Sequence, residues 1–260
     1  MAINKVVRAA LKALSYNEYD IKENLQGYRN FVDLTRRQIL KPSLKTYDFQ
    51  ISSKNHNIPV RVYSPEANFD CPLLLFFHGG GWVAGSIESY NKICTNMARL
   101  TNHKVVSVDY RLAPENPFPA GLEDCYETAK AFIANDEING KEVTLIGDSA
   151  GGNLAAALSL LARDRKEFKV DKQILIYPST YNDYTENSPF KSVIENGNDY
   201  LLTTKRIRDY MDLYKSKEDD IYSPYFAPLL SRDFTKQPKT LIITAEYDPL
   251  RDEGEEYGRK

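Results

Sequence analysis

Five short apolar runs recur along the chain: Leu73-Leu74-Leu75-Phe76-Phe77, Val105-Val106-Ser107-Val108, Val143-Thr144-Leu145-Ile146, Ile174-Leu175-Ile176-Tyr177 and Leu241-Ile242-Ile243-Thr244. None alternates between apolar and polar residues, so each reads as a strand buried on both faces. Helical stretches around Tyr90 to Leu100, Leu122 to Ala134 and the Ala-rich Leu154 to Arg163 separate the first four. Strands joined by helices of crossover length make a parallel sheet with helices on both faces. Before them, Lys45 to Ile51 and Pro59 to Tyr63 flank the turn residues Lys54-Asn55-His56-Asn57. That pair predicts an antiparallel start at one sheet edge. The expected class is α/β, mostly parallel.

Residues 179–230 break the rhythm. They are rich in Tyr, Asn, Asp and Pro and carry one clear helical stretch, Lys205 to Lys215. The expected division is a cap built from 1–44 and 179–230, over a core of 45–178 and 231–260. In the N-terminal stretch Val6, Val7, Ala10, Leu11 and Leu14 share one helical face, against Lys5, Arg8 and Lys12. So short a stripe predicts packing on the protein itself. The same three cations interrupt any signal-peptide core or spanning helix, so no targeting segment or membrane span is expected.

Charge excludes other classes. Lys and Arg number 34 and Asp and Glu 36, a net charge of −2, which gives nucleic acid or an anionic membrane no electrostatic hold. Cys71, Cys94 and Cys125 are odd in number and widely spaced, which fits free thiols in a reducing, cytoplasmic setting rather than a disulfide or zinc framework. His56, His78 and His103 show no ligand spacing, so neither a metal nor an organic cofactor is expected.

Three patterns carry chemistry. Gly147-Asp148-Ser149-Ala150-Gly151 lies between a buried strand and a helix. A serine on such a strand-to-helix turn is lifted to the sheet's C-terminal edge, at a helix N-terminus that favours developing negative charge, and reads as a nucleophile. His78-Gly79-Gly80-Gly81-Trp82 follows the strand Leu73 to Phe77. Glycines there let backbone N–H groups approach an oxyanion without a Cβ in the way, so Gly79, Gly80 and Ala150 are the expected donors. Asp248, after the strand Leu241 to Thr244, is the expected acid that orients a histidine. Asp252 and Glu253 read as first-turn helix acids.

With Asp109-Tyr110-Arg111-Leu112-Ala113-Pro114-Glu115 and Asp248-Pro249-Leu250-Arg251-Asp252-Glu253-Gly254, these motifs occur in an order that resembles the hormone-sensitive-lipase-like esterases and lipases, in their Gly-Asp-Ser-Ala-Gly subgroup, over roughly residues 45–260. The resemblance implies the α/β-hydrolase fold, a Ser/Asp/His triad, a split cap and hydrolysis of short- to medium-chain acyl esters. A small ester is then the expected partner, with short acyl chains favoured over long ones. Eight tyrosines of the cap segments (Tyr16, Tyr19, Tyr28, Tyr181, Tyr184, Tyr200, Tyr210 and Tyr214) would either line a pocket or pack cap on core. Arg111 and Glu115 are expected in ion pairs rather than in chemistry.

One departure matters. The triad histidine should follow the acid, yet the twelve residues after Asp248 contain none. A further helix, strand and loop cannot fit into so few residues. The expectation is therefore a chain that lacks its catalytic histidine, that is inactive alone, and whose sheet edge at Leu241 to Thr244 is covered by a separate C-terminal segment or a packing partner. A non-catalytic ligand binder on the same scaffold, and an amidase using the same serine, are the alternatives.

Overall fold

The computed structural model describes residues 3–16, 20–36, 44–65, 71–134 and 141–260. Seven strands form one sheet in the order β1-β2-β4-β3-β5-β6-β7. They are β1 (Lys45–Ser52), β2 (Asn57–Ser64), β3 (Leu73–Phe77), β4 (Lys104–Val108), β5 (Val143–Asp148), β6 (Lys172–Ile176) and β7 (Lys239–Ile243). The first two are antiparallel, as expected, and β3 to β7 are parallel. Side chains alternate across the sheet. Leu73, Leu75 and Phe77 face the main core, while Leu74 and Phe76 join a smaller cluster with Tyr90, Cys94 and Ala98. All three cysteines are buried free thiols.

Helices α3 (Ile87–Thr101), α4 (Ala120–Ile133) and α5 (Ala150–Arg165) cover the sheet. The first begins three residues before the expected Tyr90. Ser86 accepts from Ser89 N–H while Ser89 Oγ accepts from Ser86 N–H, a reciprocal cap that satisfies two orphan donors. The N-terminal half of α5 is buried on every side, and its small residues let it lie close to β5 and β6. The short α6 (Lys191–Asn196) was not anticipated, because six residues show no usable period. Next come α7 (Thr204–Tyr214) and the terminal α8 (Arg251–Arg259). No described helix is long and apolar enough to cross a membrane.

At the N-terminus lie α1 (Lys5–Tyr16) and α2 (Leu25–Arg36). The apolar stripe of α1 does not pack as expected. Val6 is 75% and Val7 50% exposed. The helix touches the 179–230 segment through polar groups instead. Ser15 Oγ accepts from Leu201 N–H (2.8 Å), and Lys12 lies 3.5 Å from Asp199. Tyr19 and the side chains of Leu14 and Tyr16 lie outside the described residues. By contrast α2 is tied in tightly, through Arg29 to Glu115 (2.7 Å) and Tyr28 to Tyr210 (2.7 Å between hydroxyls).

Two buried carboxylates fix the framework. Asp124 on α4 is 1% exposed and accepts from Arg111 N–H (2.9 Å) and Arg111 Nη2 (2.9 Å), with His56 Nε2 2.7 Å away. Arg111 and Glu115 thus make ion pairs, as expected. Glu253 on α8 is fully buried. Its Oε1 accepts from Thr180 N–H (2.6 Å), Tyr181 N–H (3.2 Å) and Tyr184 Oη (2.8 Å), joining α8 to the chain that leaves β6. Burial pushes the Glu253 carboxyl up to about 8, and the charge of Asp248 adds to the rise against those three donors.

Asp124→Ala should cost about 2 kcal/mol in urea unfolding. The value sits below that for a fully buried pair because the Arg111 side chain keeps 35% of its surface in water. Glu253 gives a pH test. Its folded form holds a proton that the unfolded chain releases in the ordinary carboxyl range, so its contribution to stability is complete below that range. That contribution falls as pH rises toward about 8 and is flat above. Glu253→Gln should flatten the decline of the urea midpoint between pH 5 and 8 that the parent protein shows.

Candidate active site

Ser149 stands between β5 and α5 with φ 53° and ψ −116°. A non-glycine residue reaches such values only where its surroundings enforce them. Here Ser149 N–H donates to Ile176 O (2.9 Å), and Ser149 O accepts from Asn153 N–H (3.0 Å) and Ser179 N–H (3.3 Å). Close approach does the rest. A Cβ on Gly147 would come 2.3 Å from the Gly151 backbone, and one on Gly151 would come 2.0 Å from Phe77 O. The result is a half-buried serine at the C-terminal edge of the sheet. Its Oγ accepts and donates no hydrogen bond among the described residues.

The loop after β3 lies beside it. Gly79 N–H donates to Asp148 Oδ1 (3.0 Å) and Tyr90 Oη (3.2 Å), and Tyr90 Oη donates to Asp148 Oδ2 (2.7 Å). The expected donor Gly79 is therefore engaged behind the loop, and the N–H groups of Gly80, Gly81 and Ala150 have no acceptor among the described residues. Gly80, at φ 128°, packs so that an added Cβ would lie 2.2 Å from Ala84 O. His78 turns into the core, stacked on Tyr110 with centroids 4.3 Å apart, while Tyr110 Oη donates to His78 O (2.7 Å).

Asp248 follows β7 and is half-buried. Its Oδ1 accepts from Leu250 N–H (2.9 Å), and Oδ2 has no partner among the described residues. Burial lifts its carboxyl above the usual range, against the pull of that N–H. The neighbouring acids are occupied. Asp252 accepts from Ser192 N–H (2.8 Å) and Arg251 Nε (2.8 Å), and Glu253 is the strut described above. Asp248 is thus the half-buried acid of this turn with an oxygen that has no partner among the described residues; Glu253 Oε2 lacks one too, but it is fully buried.

No histidine of the chain reaches the pair. His56 belongs to the β1–β2 turn, bound to Asp124, and β2 is three strand spacings from β5, about 14 Å. His103 precedes β4 at the opposite sheet edge, bonded to Thr101 O (2.8 Å). Among the described residues no three His, Cys, Asp or Glu side chains converge as metal ligands.

Sequence reasoning missed Tyr90 as a partner of the elbow. It sits 58 residues from Asp148 with no spacing signal to link them. Of the tyrosines expected to line a pocket or pack, Tyr184, Tyr210 and Tyr214 are buried, while Tyr28, Tyr181 and Tyr200 are half-buried.

Comparison with known proteins agrees with this fold. Residues 74–260 match the model of a family described by its alpha/beta hydrolase fold. An arylesterase of Saccharolobus solfataricus is 39% identical over 94% of this chain and 79% of its own length. An ethyl acetate hydrolase of Pseudomonas putida is 32% identical over 82% of the chain and 68% of its own. A solved hyperthermophilic esterase from Pyrobaculum calidifontis superposes with TM-score 0.84 at 37% identity, covering all of this chain and 85% of that one. The chain belongs to the α/β-hydrolase family, in its hormone-sensitive-lipase-like esterase and lipase branch.

Proposed function

We propose that this protein is a carboxylic ester hydrolase that works through an acyl-enzyme on Ser149. The observation that carries the reading is the juxtaposition of an unbonded Ser149 hydroxyl with N–H groups of Gly80 and Ala150 that have no acceptor among the described residues. Ser149 Oγ attacks the ester carbonyl, and its proton passes to a base. The carbonyl oxygen, now an oxyanion, is held by Gly80 and Ala150 N–H at the positive end of α5. Gly79 serves through its bond to Asp148, which sets the loop. Collapse of the tetrahedral species expels the alcohol with the base's proton, and water repeats the sequence in reverse order to free the acid.

The base is a histidine supplied from outside these 260 residues and oriented by the open oxygen of Asp248. Support comes from the edge beside it. Leu241 is 54% and Ile243 46% exposed on β7, opposite Ile174 and Ile176 of β6. Such an apolar edge suits a further strand with its loop, or a packing partner. The two sets of helices, α1–α2 and α6–α7, form the cap. Little aromatic surface is left open beside the oxyanion loop, because Tyr214 stacks on Trp82, Phe118 meets Tyr214 and Phe226 edge-on, and all four are buried. That favours short acyl groups, in keeping with the name of the Pseudomonas relative. The absence of an imidazole near Ser149 also fits a ligand binder on the same scaffold, and turnover separates the two.

p-Nitrophenyl acetate should be hydrolysed by the intact protein faster than a long-chain ester. Ser149→Ala should lower turnover at least about a thousandfold with the melting temperature kept. Gly80→Val should lower kcat roughly a hundredfold, as for one lost oxyanion donor. Full activity in Gly80→Val would remove that loop from the mechanism.

A further inference from the structure

The oxyanion loop is costly backbone. Gly80, Gly81 and Trp82 carry φ of 128°, 62° and 61° in succession. For Trp82, which carries a Cβ, the left-handed conformation is unfavourable. Within the loop, two turn bonds oppose that cost: Val83 and Ala84 N–H donate to Gly80 O (3.2 and 3.1 Å). From the core, Ala113 N–H donates to Trp82 O (3.0 Å) and Asp148 holds the N–H of Gly79. Further restraints come from helices α2 and α7.

Tyr210 of α7 lies face-on against Gly81, so close that an added Cβ would meet three of its ring carbons at 2.5, 2.6 and 2.7 Å. Its hydroxyl is 2.7 Å from the Tyr28 hydroxyl on α2. One turn further along α7, Tyr214 stacks on Trp82 with centroids 4.5 Å apart and planes 1° from parallel. Next to Tyr28, Arg29 donates from Nε to Val83 O (2.7 Å) and from Nη2 to Ala113 O (2.9 Å). Two helices nearly two hundred residues apart in sequence thus close on the same three-residue arc, and they meet each other at one hydroxyl pair.

We propose that Tyr210 is a positioning residue: its ring on Gly81 and its hydroxyl on Tyr28 hold the oxyanion loop in its working shape, so that the site is complete only while α2 and α7 are docked together. The proposal rests on the reading of Gly80 as an oxyanion donor. Tyr210 is 8% exposed, so little of it is left to touch substrate. Its effect therefore falls on the transition state, whose charge needs the donors in place, rather than on ground-state binding. The loop carries its own reporter, since Trp82 is the single tryptophan of the sequence. Its Nε1 is buried without a hydrogen-bond partner among the described residues, and water admitted by a loosened loop would red-shift its emission.

Tyr210→Ala, Tyr210→Phe, Tyr28→Phe and the double Phe variant of the intact protein should be compared on p-nitrophenyl acetate and by Trp82 emission. Tyr210→Ala should lower kcat about a hundredfold with KM within about threefold of the parent, and shift the emission to the red. Tyr210→Phe keeps the ring and should recover most of the loss. The two Phe changes should be non-additive, the double variant being no worse than either single, because they remove one shared bond. A rise in KM with kcat intact would make Tyr210 a pocket wall and overturn the proposal. So would unchanged Trp82 emission in Tyr210→Ala, or additive Phe losses should the Ala variant fail to fold. A parent protein without turnover would sink the esterase reading alone, and the red shift in Tyr210→Ala would still establish the clamp.

Discussion

A single close approach sets the geometry of the whole C-terminal edge. Where α5 leaves β5, Gly151 lies under the carbonyl of Phe77 at the end of β3, in space that no Cβ can share. That contact locks the elbow to the strand that launches the glycine loop Gly79–Gly81. Ser149 is driven to positive φ, which costs free energy, and the surrounding hydrogen bonds to Ile176, Asn153 and Ser179 offset it. The proposed nucleophile and the glycine loop after β3 are consequently parts of one rigid body rather than two loops that must find each other. Asp148 reinforces this from behind, since the residue before the serine also holds the N–H of Gly79.

On the outer side the same loop is gripped by α2 and α7. Tyr210, Tyr214 and Arg29 press on Gly81, Trp82 and Val83 from helices that the chain adds before and within the core. Helices α2 and α7 are thereby coupled to the groups proposed to hold the oxyanion. In the turn just before α2, Lys22 also lies between Asp209 (3.3 Å) and Asp212 (2.8 Å) of α7. Exposed pairs of that kind contribute little, about 0–1 kcal/mol each, so the tyrosine pair and Arg29 bear most of the coupling.

The sheet was legible in sequence because β3, β4 and β5 are apolar on both faces, and only a parallel sheet under two helical layers consumes such runs. The elbow and the shape of the loop after β3 were legible because glycine spacing reports backbone that other residues cannot adopt. Contacts between distant elements left no trace. Nothing in the spacing links Tyr90 to Asp148, or Tyr28 to Tyr210, and Gly79 was expected as a donor because its engagement by Asp148 is visible only in three dimensions. Periodicity also misled at α1, where Val6 and Val7 form a stripe that stays in solvent while Lys12 and Ser15 make the contacts. Amphipathic pattern records which residues could face a surface, and not whether one is present.

Reaction of the protein in extract of its own source with a small fluorophosphonate, followed by mass spectrometry of the labelled peptides, bears most directly on the claim that Ser149 is an activated nucleophile. Such a reagent needs the hydroxyl, its base and the oxyanion donors together. A single adduct on the peptide carrying Gly147-Asp148-Ser149-Ala150-Gly151, located on Ser149, is the expected result. An unlabelled protein, or an adduct on any other residue, would contradict it.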